Sequence, residues 1–206
     1  MPKLIVKKLL PIGKAYFGGH PYVPLGYPWP MCKTCAKPMR FLAQVPLEEA
    51  GLAGLSYQRK FLLIFQCESQ PGLCDEWLSD GGGNAAVIVD SVGAKQMLAP
   101  PTAPRPFKKM AVSFKAYESS EVGRTPDDEY CDALESNEAR VLGKVGGNPL
   151  WIQGDETPSC ACGSRMQFLL QIEEGSEGRF NFGGAGAGYA FICQQCPSEA
   201  RFLWQC

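Results

Sequence analysis

Eight of the ten cysteines fall into two sets of similar spacing. Cys32, Cys35, Cys67 and Cys74 read C-x2-C-x31-C-x6-C, and Cys160, Cys162, Cys193 and Cys196 read C-x1-C-x30-C-x2-C. Thiolates are soft ligands, and two short-spaced pairs on turns beside strands bring four sulfurs together when the strands pair. A site closed by four cysteines leaves no position for a reacting water, so the spacing predicts two structural Zn²⁺ ions and no catalytic metal. The second set, with two tight pairs, is the stronger signal. In the first set residues 68–73 must fold back, and the alternative is that some of its thiols are buried and free. Cys131 and Cys206 stand outside the pattern. Cys131 is expected as a small core residue on an acidic helix, and either of the two is the reserve ligand if a set is incomplete.

Compartment follows from the same residues. Lys3, Lys7, Lys8 and Lys14 interrupt the apolar runs near the start of the chain, so no secretory signal is expected. No run approaches the roughly 18 apolar residues of a membrane span. A cytoplasmic setting keeps thiols reduced, which favours metal over disulfides. The formal net charge is −1. Eight thiolates and two Zn²⁺ contribute −4, giving about −5 for the loaded chain, since metal ligands bind deprotonated. That balance excludes an electrostatic case for nucleic acid or anionic lipid.

Other chemistry is sparse. His20 is the sole histidine, it sits between Gly19 and Pro21, and it reads as a turn residue. Residues 183–188, GGAGAG, lack the Gly-Lys-Ser/Thr ending of a phosphate loop and precede a strand-like segment, so a hairpin turn is expected. Trp29 and Trp151 follow Gly-Gly-x-Pro segments; such aromatics either line a peptide groove or act as core lids. With His20 and Asn148 they are the candidate peptide-binding residues. Trp77 and Trp204 complete the tryptophans.

The elements that position these residues are mostly short strands. Glycine (23) and proline (17) are abundant, which favours turns over long helices. Strands are expected at 3–10, in the apolar segment that ends at Val45, and at 61–65, 85–89, 110–114, 189–193 and 201–206, with another in the run from Met166 to Ile172. Residues 16–30 hold four prolines and three glycines and are expected to be irregular. Helices are expected at 46–55 and at 126–140, the latter acidic with one weak apolar side.

The chain repeats itself. FGGHP at 17–21 matches VGGNP at 145–149, offset by 128. CAKPMRFLAQV at 35–45 matches CGSRMQFLLQI at 162–172, offset by 127, and IFQC at 64–67 matches FIC at 191–193, offset by 126. Three blocks in one order define a duplication. The expected fold is α+β and mainly β, an internally duplicated β-sheet architecture with zinc knuckles and few short helices. Its expected parts are 1–98, a proline-rich linker at 99–106, and 107–206, forming one compact unit. The His20 position of the first copy carries Asn148 in the second, so it does not demand imidazole. A groove where the halves meet is the usual place for a ligand.

GGHPYVPLGYPWP, a knuckle, PMRFLAQV and LLIF together resemble the bacterial YwqG-like family. The second copy, KVGGNPLWIQ…CACGSRMQFLLQI…FICQQC, resembles the N-terminal region of eukaryotic programmed cell death protein 2 and its ribosome-assembly relatives. The resemblance implies protein or peptide binding without chemistry. The eukaryotic relatives are dedicated chaperones for a nascent ribosomal protein, and some YwqG-like members sit beside toxin genes as immunity proteins. Many YwqG-like members lack the cysteines, so these eight place the chain nearer the metal-bearing branch. Two other classes compete with this binding-module expectation. One is an enzyme using the groove between the halves, for which no convergent His, Lys or carboxylate set is visible. The other is a nucleic-acid-binding ribbon, for which no Lys/Arg cluster is visible.

Overall fold

The computed structural model describes residues 3–7, 15–51, 57–116, 125–136, 141–174 and 180–206. Twelve strands are β1 (Lys3–Lys7), β2 (Tyr16–Phe17), β3 (Tyr22–Val23), β4 (Arg40–Pro46), β5 (Lys60–Gln66), β6 (Asn84–Asp90), β7 (Lys95–Gln96), β8 (Met110–Ala116), β9 (Val141–Val145), β10 (Gln167–Glu173), β11 (Ala187–Ile192) and β12 (Ala200–Gln205). Among the described residues one α-helix, α1 (Pro126–Ser136), precedes β9. Ten strands form one antiparallel sheet in the order β12-β11-β10-β9-β1-β8-β2-β4-β5-β6, and β3 pairs with β7 apart from it.

That order is palindromic about the β1–β8 pair. The strand leading into the first half, β1, lies beside β9 of the second. The strand leading into the second half, β8, lies beside β2 of the first. Each half therefore lends its leading strand to the other. The outer strands β6 and β12 nearly close the sheet, through a Val87–Glu199 bridge and a 3.2 Å hydrogen bond from the Trp204 N–H to the Trp77 carbonyl. Near-closure leaves little open edge to template unwanted strand pairing.

Both faces of the inner strands are covered. Alternation along a strand sends Leu62 and Ile64 of β5 into a core shared by the halves, with Leu42, Val112, Leu170, Ile192 and Phe202. The intervening Leu63 and Phe65 enter an outer cluster with Cys32, Cys67 and Cys74. The second half builds the same outer cluster from Cys160, Met166, Phe168, Tyr189, Phe191 and Cys193. Two-sided burial is why residues 61–65 read as an unbroken apolar run.

The repeated sequence blocks have a common structural cause. Strand β4 shifts register between Phe41 and Ala43, and β10 shifts between Phe168 and Leu170. Each bulge turns two consecutive apolar residues inward: Leu42 and Ala43, Leu169 and Leu170. The bulged carbonyls accept from glycine, Gly18 N–H to Leu42 at 2.7 Å and Gly146 N–H to Leu169 at 2.8 Å. The glutamine two residues on anchors the next loop: Gln44 Oε1 accepts from Tyr22 N–H and Gln171 Oε1 from Leu150 N–H, both at 2.9 Å. The Phe-Leu-x-Gln and Gly-Gly-x-Pro blocks are thus two sides of one contact.

Gly18 has φ of 67°, and a Cβ there would lie 2.9 Å from the carbonyl oxygens of Phe107 and Lys108. Gly18→Ala is expected to cost about 2 kcal/mol in a denaturant titration. Gly26→Ala, equally left-handed but in open space, should cost less. Equal losses would refute the close-approach account.

Several expectations differ from the fold. Residues 47–51 form turns, not the start of a helix; the remainder of that expected helix, 52–55, lies outside the described residues. The acidic helix ends at Ser136, and 137–140 lie outside the described residues, as do 8–10 of the first expected strand. Residues 16–30 include the short strands β2 and β3. No helix among the described residues is long and apolar enough to cross a membrane.

Candidate metal centres

The two sets of cysteines converge as two separate clusters. In each, the four sulfur atoms all lie within 4.8 Å of one another. Cys35 and Cys67 sulfurs are 3.6 Å apart, and Cys162 and Cys193 sulfurs 3.7 Å. A tetrahedron of Zn–S bonds near 2.3 Å sets its sulfurs about 3.8 Å apart. A disulfide requires about 2.05 Å, and all ten cysteines are free thiols. Four soft sulfurs at this separation suit a metal ion, so geometry and donor chemistry fit the group that the spacing predicts.

The knuckles explain the short spacings. Cys32 N–H bonds to the Lys37 carbonyl and Cys160 N–H to the Ser164 carbonyl, both at 2.9 Å. Bridges Met31–Pro38 and Ser159–Arg165 close each into a minute hairpin. The tip takes positive φ in both, 54° at Ala36 and 86° at Gly163. The far pair of each cluster comes from the end of the next strand: Cys67 follows β5 and Cys193 follows β11. Pairing of β4 with β5, and of β10 with β11, brings near and far pairs together.

Local hydrogen bonds prepare the thiols as ligands. The Ser164 side chain and backbone hydrogen bonds to Cys162, with help from Cys160, bring it down to about 6 against desolvation. Burial pushes Cys35 up, but the Lys37 backbone and the three neighbouring thiols outweigh it and bring it down to about 7. Cys196 is pushed up to about 12 by the Cys162 thiol and by burial. Burial, reinforced by Cys67, Cys32 and Cys35, pushes Cys74 well above the usual thiol range. One acidic thiol beside one reluctant thiol describes a cluster that shares protons until a cation replaces them.

Glu76 is a participant that sequence reasoning missed. The six-residue gap before Cys74 folds back because the buried Glu76 carboxylate accepts from the Gly72 N–H at 2.6 Å and the Cys74 N–H at 3.3 Å. Asn84 holds the same turn by donating its side-chain amide to the Glu76 and Leu78 carbonyls, both at 2.9 Å. A lone glutamate between Cys74 and Trp77 carries no sequence signal for this role. Glu76→Ala is expected to weaken the first cluster alone. In competition with a chromophoric chelator the variant should surrender one metal equivalent earlier than the parent, and simultaneous loss of both would refute the assignment.

The remaining candidates distribute between the halves. Trp29 donates its indole N–H to the Met39 carbonyl at 2.8 Å and stands edge-on to Phe65, centroids 5.5 Å apart. Trp151 stacks on Phe191 at 5.8 Å and meets Tyr189 at 4.6 Å. Phe65 and Phe191 are equivalent in the repeat, so the tryptophans reach one structural position from different places in sequence. His20 accepts the Ala99 N–H on Nδ1 at 3.3 Å. Asn148 and Trp151 line a cavity of about 500 Å³ together with Arg165, Met166 and Phe168. A second cavity, about 290 Å³, lies at the β6–β12 seam, lined by residues of both halves including Lys33, Asp80, Asn84 and Arg201.

Cys131 is exposed, not a core residue. The apolar side of α1 is carried instead by Tyr130, Ala133 and Leu134, packed with Leu4 and Val141. Cys206 is exposed and outside both clusters. The glycine-rich loop spends its amides internally: Gly184 and Gly186 N–H both donate to the Glu174 carboxylate at 3.0 Å. It leads into β11 as a turn.

Comparison with known proteins adds a family. Residues 15–206 match the family described as a domain of unknown function, DUF1963. The chain is also 30% identical over 117 residues to the uncharacterized protein YpfL of Salmonella typhimurium. That alignment takes in 50% of this chain and 26% of the relative, so the chain spans about a quarter of the relative's length. With a match that runs from the residue before β2 to the last residue, the chain belongs to the DUF1963 family.

Proposed function

We propose that the chain is a zinc-stabilised module that binds a protein or peptide and performs no chemistry of its own, in a chaperone-like or toxin-immunity-like role. One observation carries the reading. Eight of the chemically capable residues are consumed in walls: the cysteines close two four-sulfur clusters, while the aromatic Trp151 face borders a cavity. Zinc is the ion that four thiolates in a tetrahedron hold as a structural element without an open coordination position. Closed four-thiol sites brace a scaffold, and an aromatic, partly polar concavity on a braced scaffold is what peptide recognition uses.

The resemblance to YwqG-like proteins, and to the N-terminal region of programmed cell death protein 2, supports the same reading. Ten free thiols accord with a reducing, cytoplasmic setting. His20 is engaged as a hydrogen-bond acceptor in the first half, a structural employment for the sole imidazole.

The test is affinity capture on the metal-loaded full chain from lysate. One abundant partner, retained by the parent and lost with a chelator, is the expected result. Recovery of nothing above background, together with turnover of any small molecule abolished by one substitution at the β6–β12 seam, would overturn it in favour of an enzyme.

A further inference from the structure

The two halves differ at one place that bears on binding. In the first half the chain leaves β6, turns at residues 91–94, and returns as β7 to pair antiparallel with β3, Lys95 opposite Val23 and Gln96 opposite Tyr22. The pairing continues past the strand. Met97 N–H donates to the Pro21 carbonyl at 2.9 Å, and Ala99 N–H donates to His20 Nδ1 at 3.3 Å. The Met97 side chain packs on the outer cluster of Phe41 and Phe65.

Several walls of that arrangement recur in the second half, while Tyr22 and Val23 of β3 are replaced by Leu150 and Trp151. His20 and Pro21 correspond to Asn148 and Pro149, offset by 128; Met39 and Phe41 to Met166 and Phe168, offset by 127; Phe65 to Phe191, offset by 126. The loops are pinned alike, since Tyr22 and Leu150 both donate their N–H to the equivalent glutamine at 2.9 Å. Among the described residues the occupant does not recur. Among the described residues no strand pairs with residues 149–151, and the second outer cluster has Trp151 but no counterpart of Met97. At that place lies the cavity of about 500 Å³, lined by Asn148, Pro149, Trp151, Met166, Phe168 and Phe191 among others.

We propose that this cavity takes an extended peptide, added antiparallel to residues 149–151 as β7 and its continuation are added to the first half. The proposal rests on the reading of the protein as a binding module and gives that module its ligand class. The protein's own first half states the requirements. The peptide presents two N–H groups on alternate residues, one to the Pro149 carbonyl and one to the Asn148 side-chain oxygen, so neither residue is proline. The first of them carries an unbranched apolar side chain that rests on the second outer cluster, which contains Phe168 and Phe191, as Met97 rests on the first. Main-chain hydrogen bonds supply affinity in such strand addition, and the side-chain pocket supplies selectivity. Asn148 in place of His20 keeps the acceptor while removing an imidazole.

The probe is the chain's own occupant, a capped synthetic peptide of residues 95–101, KQMLAPP, titrated into isotope-labelled, metal-loaded full-length protein. Saturable shifts of the amides of residues 147–151 and of the Trp151 indole are expected. Affinity should fall about fivefold for Asn148→Ala, the loss of one hydrogen bond, and at least as much for Trp151→Ala. A peptide with proline in place of methionine should not bind. The proposal is overturned by no saturable shift at millimolar peptide, by shifts confined to His20 and β3, or by an affinity unchanged in both variants. Asn148→Ala, on an irregular loop, keeps the test valid if Trp151→Ala fails to fold. A lysate partner whose affinity is unchanged in both variants would overturn this site and leave the binding-module reading standing. Peptide binding at residues 147–151 with no lysate partner would do the reverse.

Discussion

Stripping metal from this protein is expected to unfold the outer part of each half. Elemental analysis of the purified chain should give two zinc per molecule, and fewer than one would sink the two-site reading. The expected effect is large. Structural zinc is worth roughly 10–16 kcal/mol apparent in small zinc-folded peptides, and a whole domain is stable by only about 5–15 kcal/mol. The cysteines are also part of the packing: Cys32, Cys67 and Cys74 belong to one outer cluster, and Cys160 and Cys193 to the other. Without a cation the four sulfurs of each cluster, all within 4.8 Å of one another, are held by shared protons alone. Cys193→Ser should therefore remove one zinc equivalent and the near-ultraviolet signal of Trp151, while Cys206→Ser, outside both clusters, should change neither. Acid acts in the same direction. Protons compete with the cation for thiolates, so affinity falls as pH falls, most steeply below about 6, where the metal-free Cys162 also takes its proton. Zinc release monitored by a chromophoric chelator from pH 8 downward checks the sign; release that increased with pH would refute it.

Lys144→Ala is expected to be the most damaging single substitution away from the cysteines. Lys144 is fully buried in β9 and donates to the Asp127 carboxylate at 2.6 Å. Its ammonium lies 5.1 Å from the centre of the Tyr130 ring, and Tyr130 donates its hydroxyl to Glu173. Burial pushes the Glu173 carboxyl up, while the Tyr130 and Gln171 hydrogen bonds and the Lys144 charge pull it back. Removing the lysine leaves Asp127 without this partner, deprives Glu173 of a compensating charge and opens a cavity. Because the Asp127 side chain is 34% exposed, the cost falls below that of breaking a fully buried pair, at about 2–3 kcal/mol, which for a chain of this size lowers the melting temperature by roughly 4–12 °C. Amide exchange in α1 should accelerate first, because this network and the Tyr130 packing fasten the helix to the sheet. A loss below about 1 kcal/mol would mean that the pair contributes no more than a surface ion pair.

This lysine also measures how far the sequence could be read. Its repeat partner is Tyr16, which satisfies the same buried position with a hydroxyl donated to Gln44 and to the His20 carbonyl. A tyrosine and a lysine share no pattern, so the alignment of the halves does not expose the equivalence. Glu76 was hidden for a similar reason: a carboxylate that caps a loop looks like any surface glutamate until the loop is closed around it. Cys131 is exposed because α1 buries Tyr130, its immediate neighbour, and adjacent helix positions point about 100° apart.

The sequence by itself determined the duplication, the mainly β character and the membership of both cysteine sets. These are local or repeated signals: short ligand spacing, period-two burial, and blocks recurring at nearly constant offset. The tertiary structure alone decided the exchange of leading strands between halves, the meeting of β6 with β12, and the filling of one outer groove by β7 while its twin holds a cavity. Those features depend on which distant segments pair. Strand pairing is set by backbone hydrogen bonds and loop reach, which leave no distinct mark on residue type.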